Sequence, residues 1–369
     1  MPELYIGIIS GTSADGIDAA LVDFSGAKPL LIDFIYLPFS AEIKAHIDQV
    51  SDATARITLK DYGSLDHKLG LLFAEAVIAL LAKSKYPATT IKAIGSHGQT
   101  VHHGMTDSAP FTLQIGDPNI IAELTNITTI ADFRRRDIAA QGQGAPLVPA
   151  FHQAVFRHPH IERCIVNIGG IANITILPSN PNNSSLGFDT GPGNVLLDQW
   201  IHRCLGLPYD EHGNWAKTGV IDYDLVTQLK QDAYFTSPPP KSTGKEYFCL
   251  DWLTQQIDST RYKPEDLQAS LCYLTAATIC DAIKKHAPMA EQVLICGGGV
   301  HNQLLMELLE QNLACSIASS EAYGIHPDHV EAMAFAWLAR QTLNGLPGNL
   351  KQVTGASREV ILGAIYQKC

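Results

Sequence analysis

The sequence lacks a basic excess and any long apolar run, and each absence excludes a class of function. Its 369 residues carry 26 Lys and Arg against 37 Asp and Glu, a formal net charge of −11. An acidic chain with dispersed basic residues is a poor match for nucleic acid or an anionic membrane surface. No run of about eighteen apolar residues is present, and no basic leader precedes the first apolar run. We therefore expect a soluble, untargeted protein that binds neither nucleic acid nor membrane.

The eight cysteines lack any pairing pattern. All of them lie in the last two-thirds of the chain, without a C-x-x-C pair or a closely spaced framework. In a chain of this length, that usage is typical of reduced, buried thiols in a cytoplasmic protein. None of the cysteines is a candidate catalytic residue.

Two familiar nucleotide motifs are also missing. The stretch STGK at 242–245 has Pro239 where a phosphate loop requires its first glycine, and Glu246 where it requires Ser or Thr. The stretch GGGVHN at 297–302 has Asn302 where the dinucleotide fingerprint requires its last glycine. The chain therefore has neither a P-loop nor a Rossmann nucleotide site.

The chain is long enough for two domains, and a ligand is expected in the cleft between them. Each half follows one order, in which a run of β-strands is followed by alternating helices and strands. Gly and Pro at 141–149 predict the boundary, with 1–140 as the first half, 345–369 as a candidate to rejoin it, and 141–344 as the second. The predicted strands are 4–10, 17–24, 30–39, 91–97, 111–116, 127–132, 163–169, 172–178, 186–190, 292–296 and 360–366; the main helices are 65–84, 118–126, 195–205, 266–286, 303–313 and 327–344.

The first glycine turn, SGTSADGID at 10–18, has two interpretations. Its glycines let backbone N–H groups approach an anion, and its hydroxyls add donors. Asp15 and Asp18 fit near a phosphate only if Mg²⁺ lies between the carboxylates and the phosphate. The carboxylates would then contact the ion through its water molecules. Alternatively, Asp15 and Gly16 merely form a hairpin turn. Because NIGGIAN at 167–173 and GGGVHN at 297–302 occupy matching turns of the second half, the set favours a bound nucleotide.

Nine motifs in order carry a family resemblance. They are SGTSADGID (10–18), SHGQTVHH (96–103), ADFRRRD (131–137), GQGAPLVP (142–149), NIGGIAN (167–173), GFDTGPGN (187–194), PPKSTGKEYF (239–248), CGGGVHN (296–302) and VTGASREVILGAIY (353–366). The set resembles that of the anhydro-N-acetylmuramic acid kinases, in the sugar kinase, Hsp70 and actin superfamily. The resemblance implies an α/β fold of two duplicated βββαβαβα domains, of the actin-like ATPase (ribonuclease H-like) type, around an ATP cleft.

The resemblance also implies a reaction, its cofactors and its site. Such enzymes use ATP, Mg²⁺ and water to convert 1,6-anhydro-N-acetylmuramic acid into N-acetylmuramic acid 6-phosphate in cell-wall recycling, as cytoplasmic homodimers. The first half would contact sugar and phosphate, and the second half would bind nucleotide and carry the base. The implied ATP-binding residues are Gly11, Thr12, Ser13, Ala14, Asp15, Gly16, Ile17, Asp18, Asn167, Gly169, Gly170, Gly297, Gly298, Gly299 and Asn302; the sugar-binding residues are His97, Gln99, Arg134 and Asp189; the catalytic residues are Asp189 and Glu331.

Each principal candidate has a structural alternative. Asp189 matches the family's base, but an aspartate there could also cap a helix or form a turn. Glu331 matches a family acid, but an acid in the first turn of a helix also complements the helix dipole. Arg134 could pair with the lactyl carboxylate of a muramic sugar, whereas Arg135 and Arg136 are expected to be surface charges.

The sequence departs from the family pattern at two positions, and two other functions are alternatives to the one that the resemblance implies. His212 and Gln141 stand where Asp and Gly are expected, which affects local loop conformation. A different ATP-dependent sugar kinase would phosphorylate a plain hydroxyl without taking up water. A nucleotide-gated interaction protein would use hydrolysis for conformational change, but shared fold alone is weak support for that function.

Overall fold

The computed structural model describes residues 2–11, 13–52, 54–105 and 109–368. The β-strands are β1 Leu4–Ser10, β2 Gly16–Asp23, β3 Leu30–Pro38, β4 Ile91–Gly104, β5 Phe111–Ile115, β6 Thr129–Ala131, β7 Arg163–Ile168, β8 Ile171–Leu177, β9 Leu186–Pro192, β10 Gln292–Cys296, β11 Ser316–Ser319 and β12 Ala364–Tyr366. The α-helices are α1 Ala41–Ser51, α2 Leu59–Ser84, α3 Pro118–Thr125, α4 Arg135–Ala139, α5 Val148–Phe156, α6 Val195–Leu205, α7 Tyr223–Leu229, α8 Ala233–Thr236, α9 Leu250–Gln256, α10 Pro264–His286, α11 Gln303–Asn312, α12 Val330–Leu343 and α13 Lys351–Thr354.

Local sequence signals set several helix ends. Helix α2 begins with a capping box, in which Thr58 and Asp61 each bond the other's backbone N–H. Helix α6 ends at Gly206, whose left-handed conformation (φ 71°) suits glycine. Helix α10 begins with Pro264 at its first position, where the missing N–H costs no hydrogen bond. Helices α6 and α10 therefore lie within two residues of their predicted bounds, whereas α2 begins six residues before the predicted start at 65.

The chain divides into two compact units. The first contains residues up to Val155 together with those from His329 onward, and the second contains Phe156–Asp328. The sheet of the first unit has the order β12–β6–β4–β1–β2–β3, and β5 pairs with β4. Strands β1, β2 and β3 form an antiparallel meander, whereas β4 runs parallel to β1 and to β6.

The sheet of the second unit repeats this plan. Its order is β11–β10–β7–β8–β9, with β7, β8 and β9 antiparallel and β10 parallel to both β7 and β11. A three-strand meander followed by parallel strands on the far side of the first strand thus occurs in both units. This duplicated mixed α/β topology is that of the actin-like ATPases, which confirms the predicted fold class.

Helix α12 and residues 141–155 belong to the first unit, although the sequence analysis predicted 141–344 as the second half. The helix packs on β1 and β4 at neighbouring glycines, Gly7 and Gly95. A Cβ at Gly7 would lie 1.8 Å from the Ala332 carbonyl oxygen, and one at Gly95 2.0 Å from that of Phe335. This close approach between distant parts of the chain decides the division, and no local pattern encodes it.

The two departures from the family pattern both have left-handed backbone. Gln141 has a φ of 70° and His212 a φ of 57°. Glycine adopts this region freely, whereas an L-residue there costs roughly 1–2 kcal/mol. Gln141 therefore carries a cost that the expected glycine would not, whereas His212 and the aspartate expected in its place are both L-residues.

The cysteines of the described residues are free thiols, as the sequence analysis predicted. Of these seven, Cys164, Cys272, Cys280 and Cys296 are buried. Cys369 lies outside the described residues. Among the described helices, none is both long and apolar enough to cross a membrane.

Candidate active site

Asp189 lies within β9, an edge strand of the second unit's sheet. One carboxylate oxygen, Oδ2, accepts a hydrogen bond of 2.9 Å from the backbone N–H of Thr243. The backbone N–H of Asp189 donates to the carbonyl oxygen of Lys241 at 3.1 Å. The cap of the following helix α6 is Asn194. Asp189 is therefore a strand residue with a fixed carboxylate, and the helix-cap alternative does not apply.

The surroundings of Asp189 include Tyr234 of α8 and Lys241 of the loop that follows α8. The pKa of Lys241 is lowered by burial and by the neighbouring charge of Lys285, while the charge of Asp189 acts in the opposite direction. The pKa of Tyr234 is raised by burial and by Asp189. A basic group and a neutral phenol thus lie close to the carboxylate.

The three glycines of GGGVHN differ in whether protein packing leaves room for a side chain. Gly297 has a φ of 79°, and a Cβ there would lie 2.5 Å from Asn167 Oδ1. A Cβ at Gly299 would lie 2.3 Å from Cγ2 of buried Ile168. A Cβ at Gly298 would meet no atom within 4 Å. Packing therefore explains Gly297 and Gly299, whereas the space at Gly298 is open to a ligand.

The NIGGIAN turn leaves similar space. A Cβ at Gly169 or Gly170 would approach other atoms no closer than 3.7 Å and 3.9 Å. The carbonyl oxygen of Gly170 accepts a hydrogen bond from Val195 N–H at 3.0 Å, and that of Gly169 accepts one from Asn194 N–H at 2.9 Å. These hydrogen bonds fix the turn to the start of α6. The space where Cβ atoms of Gly169 and Gly170 would lie is not filled by other protein atoms.

The two predicted asparagines have structural partners. Asn302 caps α11, since its Oδ1 accepts the backbone N–H of Leu305 at 3.1 Å. Asn167 is buried at the end of β7, and the Cys296 thiol lies 3.8 Å from its Oδ1. Both residues shape the glycine turns.

The SGTSADGID loop joins β1 to β2 in the first unit. A Cβ at Gly11 would meet only Ser13 Oγ, at 3.9 Å. Ala14 is buried with a left-handed φ of 51°, and its N–H donates to the Gly11 carbonyl oxygen at 3.1 Å. Ile17 lies in the hydrophobic core, so only its backbone could reach a ligand. Thr12 lies outside the described residues.

The two acids of this loop have different environments. Asp15 is exposed and forms an ion pair with Lys44. Asp18 is half-buried on β2, opposite Tyr36 of β3. The pKa of Tyr36 is raised by burial and by the charges of both acids, and its ring packs over Gly16. In the described ranges, His, Cys, Asp and Glu form no group of three that could hold a metal by themselves.

Arg134 is held by His97 and Gly144 in the first unit. Its Nε and Nη2 lie 3.0 Å and 2.9 Å from His97 Nε2, and its Nη1 donates to the Gly144 carbonyl oxygen at 2.8 Å. His97 Nδ1 lies 3.0 Å from the Gly98 carbonyl oxygen. Because that carbonyl can only accept, the proton is on Nδ1 and Nε2 accepts from Arg134. The pKa of His97 is correspondingly well below its ordinary value, owing to burial and to Arg134.

Buried Asp137 fixes the loop that holds Arg134. Its Oδ2 accepts the N–H of Gly144 at 2.8 Å, and its Oδ1 accepts from Asn349 at 2.6 Å and from Thr354 at 2.7 Å. Three of the nine motifs, ADFRRRD, GQGAPLVP and the C-terminal one, thus meet at one carboxylate. Sequence reasoning missed this role of Asp137, and the motifs' separation along the chain gave no local signal for it.

The other candidates of the first unit are placed as follows. Gln99 is buried; its Oε1 accepts from Ser10 Oγ at 2.6 Å, and its Nε2 donates to the Gly11 carbonyl oxygen at 3.3 Å. Gln99 therefore supports the glycine loop. Glu331 is half-buried in the first turn of α12, a position that also suits the helix dipole. Arg135 and Arg136 are exposed, as expected.

Comparison with known proteins identifies the family. The family model described as "Anhydro-N-acetylmuramic acid kinase" matches residues 3–368. The chain is 49% identical over 367 residues to the enzyme of that name from Coxiella burnetii (strain Dugway 5J108-111), covering 99% of this chain and 97% of the relative. It is 50% identical over 371 residues to the one from Saccharophagus degradans, covering 99% of both. The chain belongs to the anhydro-N-acetylmuramic acid kinase family.

Membership in this family makes the protein an ATP-dependent sugar kinase of cell-wall recycling, as the resemblance implied. Among solved structures, the chain is similar to component A of (R)-2-hydroxyglutaryl-CoA dehydratase from Acidaminococcus fermentans, with a TM-score of 0.48 and 11% identity, covering 90% of this chain and 96% of that one. A Cβ at Gly11, Gly169, Gly170 or Gly298 would approach no other atom closer than 3.7 Å, so packing does not require glycine at these positions.

Proposed function

We propose that this kinase opens 1,6-anhydro-N-acetylmuramic acid with water while phosphorylating its O6. Water attacks the anomeric carbon, and Asp189 accepts the water proton. The bond between that carbon and O6 breaks, and O6 takes the γ-phosphoryl group of ATP. ADP is the leaving group. The proposal depends on one observation: the Thr243 N–H orients the carboxylate of Asp189, which lies in β9. Asp189 is also the acidic residue of the family motif GFDTGPGN. A fixed carboxylate is a suitable general base.

For the sugar, we propose Arg134 as the partner of the lactyl carboxylate. Its guanidinium is fixed by His97 and Gly144, so binding requires little further ordering. An arginine also matches the planar, paired oxygens of a carboxylate. His97 supports this role by staying neutral, and Glu331 is proposed to assist in the active site.

For the nucleotide, we propose that backbone at Gly11, Gly169, Gly170 and Gly298 approaches the phosphates. Mg²⁺ accompanies ATP and neutralises phosphate charge. Asp15 and Asp18 are the proposed candidates to hold its water shell; Asp15 is exposed and paired with Lys44, and Asp18 is half-buried on β2. Cytoplasmic location and a homodimer stay predictions; sedimentation of the purified protein tests the latter.

The test is the reaction in ¹⁸O-labelled water with Mg-ATP and 1,6-anhydro-N-acetylmuramic acid. We expect ADP and a ring-opened, 6-phosphorylated product that carries one label at the anomeric hydroxyl, and no product after Mg²⁺ is chelated. A phosphorylated product without label would support a plain hydroxyl kinase instead. ADP release that does not depend on the sugar would favour the nucleotide-gated alternative.

A further inference from the structure

We propose that the stretch Lys241–Thr243, together with Tyr234, is a clamp that positions the Asp189 carboxylate. This inference rests on the proposed role of Asp189 as the base. It assigns a function to the STGK stretch, which fails as a phosphate loop. In this proposal Tyr234 and Lys241 are positioning residues that do not touch the reactants.

The clamp binds Asp189 at three points. The carbonyl oxygen of Lys241 accepts the Asp189 N–H at 3.1 Å, and the Tyr234 hydroxyl donates to the Asp189 carbonyl oxygen at 2.7 Å. Thr243 N–H donates to Oδ2 at 2.9 Å. Because β9 is an edge strand, its outer N–H and carbonyl groups need partners from outside the sheet. The clamp supplies those partners and orients the side chain at the same residue.

Lys241 holds the clamp together through its side chain. Its Nζ donates to the Tyr234 carbonyl oxygen at 2.8 Å and lies 4.4 Å from the centre of the Tyr234 ring. The ammonium therefore ties the loop to α8, while the backbone of the same residue bonds Asp189. Burial and the nearby charge of Lys285 lower the pKa of Lys241, whereas the charge of Asp189 opposes that shift.

The aromatic cluster beside the clamp offers a matched control. Tyr234 and Tyr247 have ring centres 6.0 Å apart, and both pack against Phe248. The Tyr247 hydroxyl bonds the Asp232 carboxylate, at 2.8 Å, rather than Asp189. Tyr234→Phe and Tyr247→Phe therefore remove the same atom from the same cluster, but only the first removes a contact to Asp189.

The experiment compares full-length Tyr234→Phe, Lys241→Met and Lys241→Arg with Tyr247→Phe and Asp189→Asn. We expect kcat per folded enzyme to fall about tenfold in Tyr234→Phe and Lys241→Met, since small misplacement of a catalytic group reduces rate steeply. The KM for ATP should stay within about twofold of wild type, because the nucleotide turns are separate. Lys241→Arg keeps a cation and a donor and should recover most of the lost kcat. Tyr247→Phe should retain the wild-type kcat.

The outcomes separate this proposal from the proposed function. Substantial turnover by Asp189→Asn would remove Asp189 as the base, whatever the other variants do. An inactive Asp189→Asn with equal kcat in Tyr234→Phe and Tyr247→Phe would overturn the clamp alone. If Lys241→Met does not fold, Tyr234→Phe decides, because it removes a single oxygen atom. A fall in kcat that disappears after correction for the folded fraction would also overturn the clamp.

Discussion

Gly298 and Gly299 are adjacent, yet alanine at the two positions is expected to have opposite effects. At Gly298 a new Cβ meets no atom within 4 Å, and the residue has no left-handed φ. Alanine there should stabilise the fold by about 0.4–1 kcal/mol, because it restricts the unfolded chain. At Gly299 the new Cβ would lie 2.3 Å from Ile168 Cγ2, and overpacking of this kind costs about 1–3 kcal/mol.

The effect on nucleotide binding should follow the same geometry. If backbone at Gly298 approaches the phosphates, a methyl group displaces them and weakens one or two charge-assisted hydrogen bonds, each worth about 1.5–3 kcal/mol. The KM for ATP should therefore rise roughly tenfold to a hundredfold in Gly298→Ala. Gly63→Ala is the control, since Gly63 lies within α2 and its Cβ would also meet no atom within 4 Å.

Thermal unfolding and a coupled ADP assay measure the two effects. We expect Gly298→Ala and Gly63→Ala to keep or raise the melting temperature, and only Gly298→Ala to raise the KM for ATP. Gly299→Ala should melt earlier than wild type. An unchanged KM in Gly298→Ala would refute the assignment of this space to the nucleotide. Wild-type stability of Gly299→Ala would refute the distinction between the two glycines.

Two further predictions concern the first unit. Arg134→Lys removes the planar guanidinium that can bond both oxygens of a carboxylate. It should raise the KM for the anhydro sugar roughly a hundredfold, a loss of about 2–3 kcal/mol of binding free energy, without changing the KM for ATP. Arg135→Lys, at an exposed position, should change neither KM. Burial lowers the pKa of His152 to about 3, so below pH 6.5 the unfolded chain takes up a proton that the folded chain does not. Stability should fall by about 2 kcal/mol between pH 7 and pH 5 from this residue, and urea unfolding of His152→Gln should show a pH dependence smaller by that amount.

Local patterns were sufficient for much of the fold. Strand β1, helix α6 and strand β10 have the predicted bounds, because their hydrophobic periodicity, turns and caps are properties of consecutive residues. The order of the nine motifs was likewise sufficient to indicate the family. The short strand β11 and helices α7 to α9 were not predicted, since elements of four to seven residues carry little periodicity.

By itself, the sequence determined the repeated strand order, the family and the chemical types of the site residues. Only the tertiary structure decided that α12 packs on Gly7 and Gly95, that Arg134 is the arginine held by His97, and that Gly298 differs from its neighbours. It also gave the STGK stretch its place at Asp189. The physical reason is the same in each case. Burial, steric contact and hydrogen bonding depend on residues that are distant in the chain and meet only when it folds.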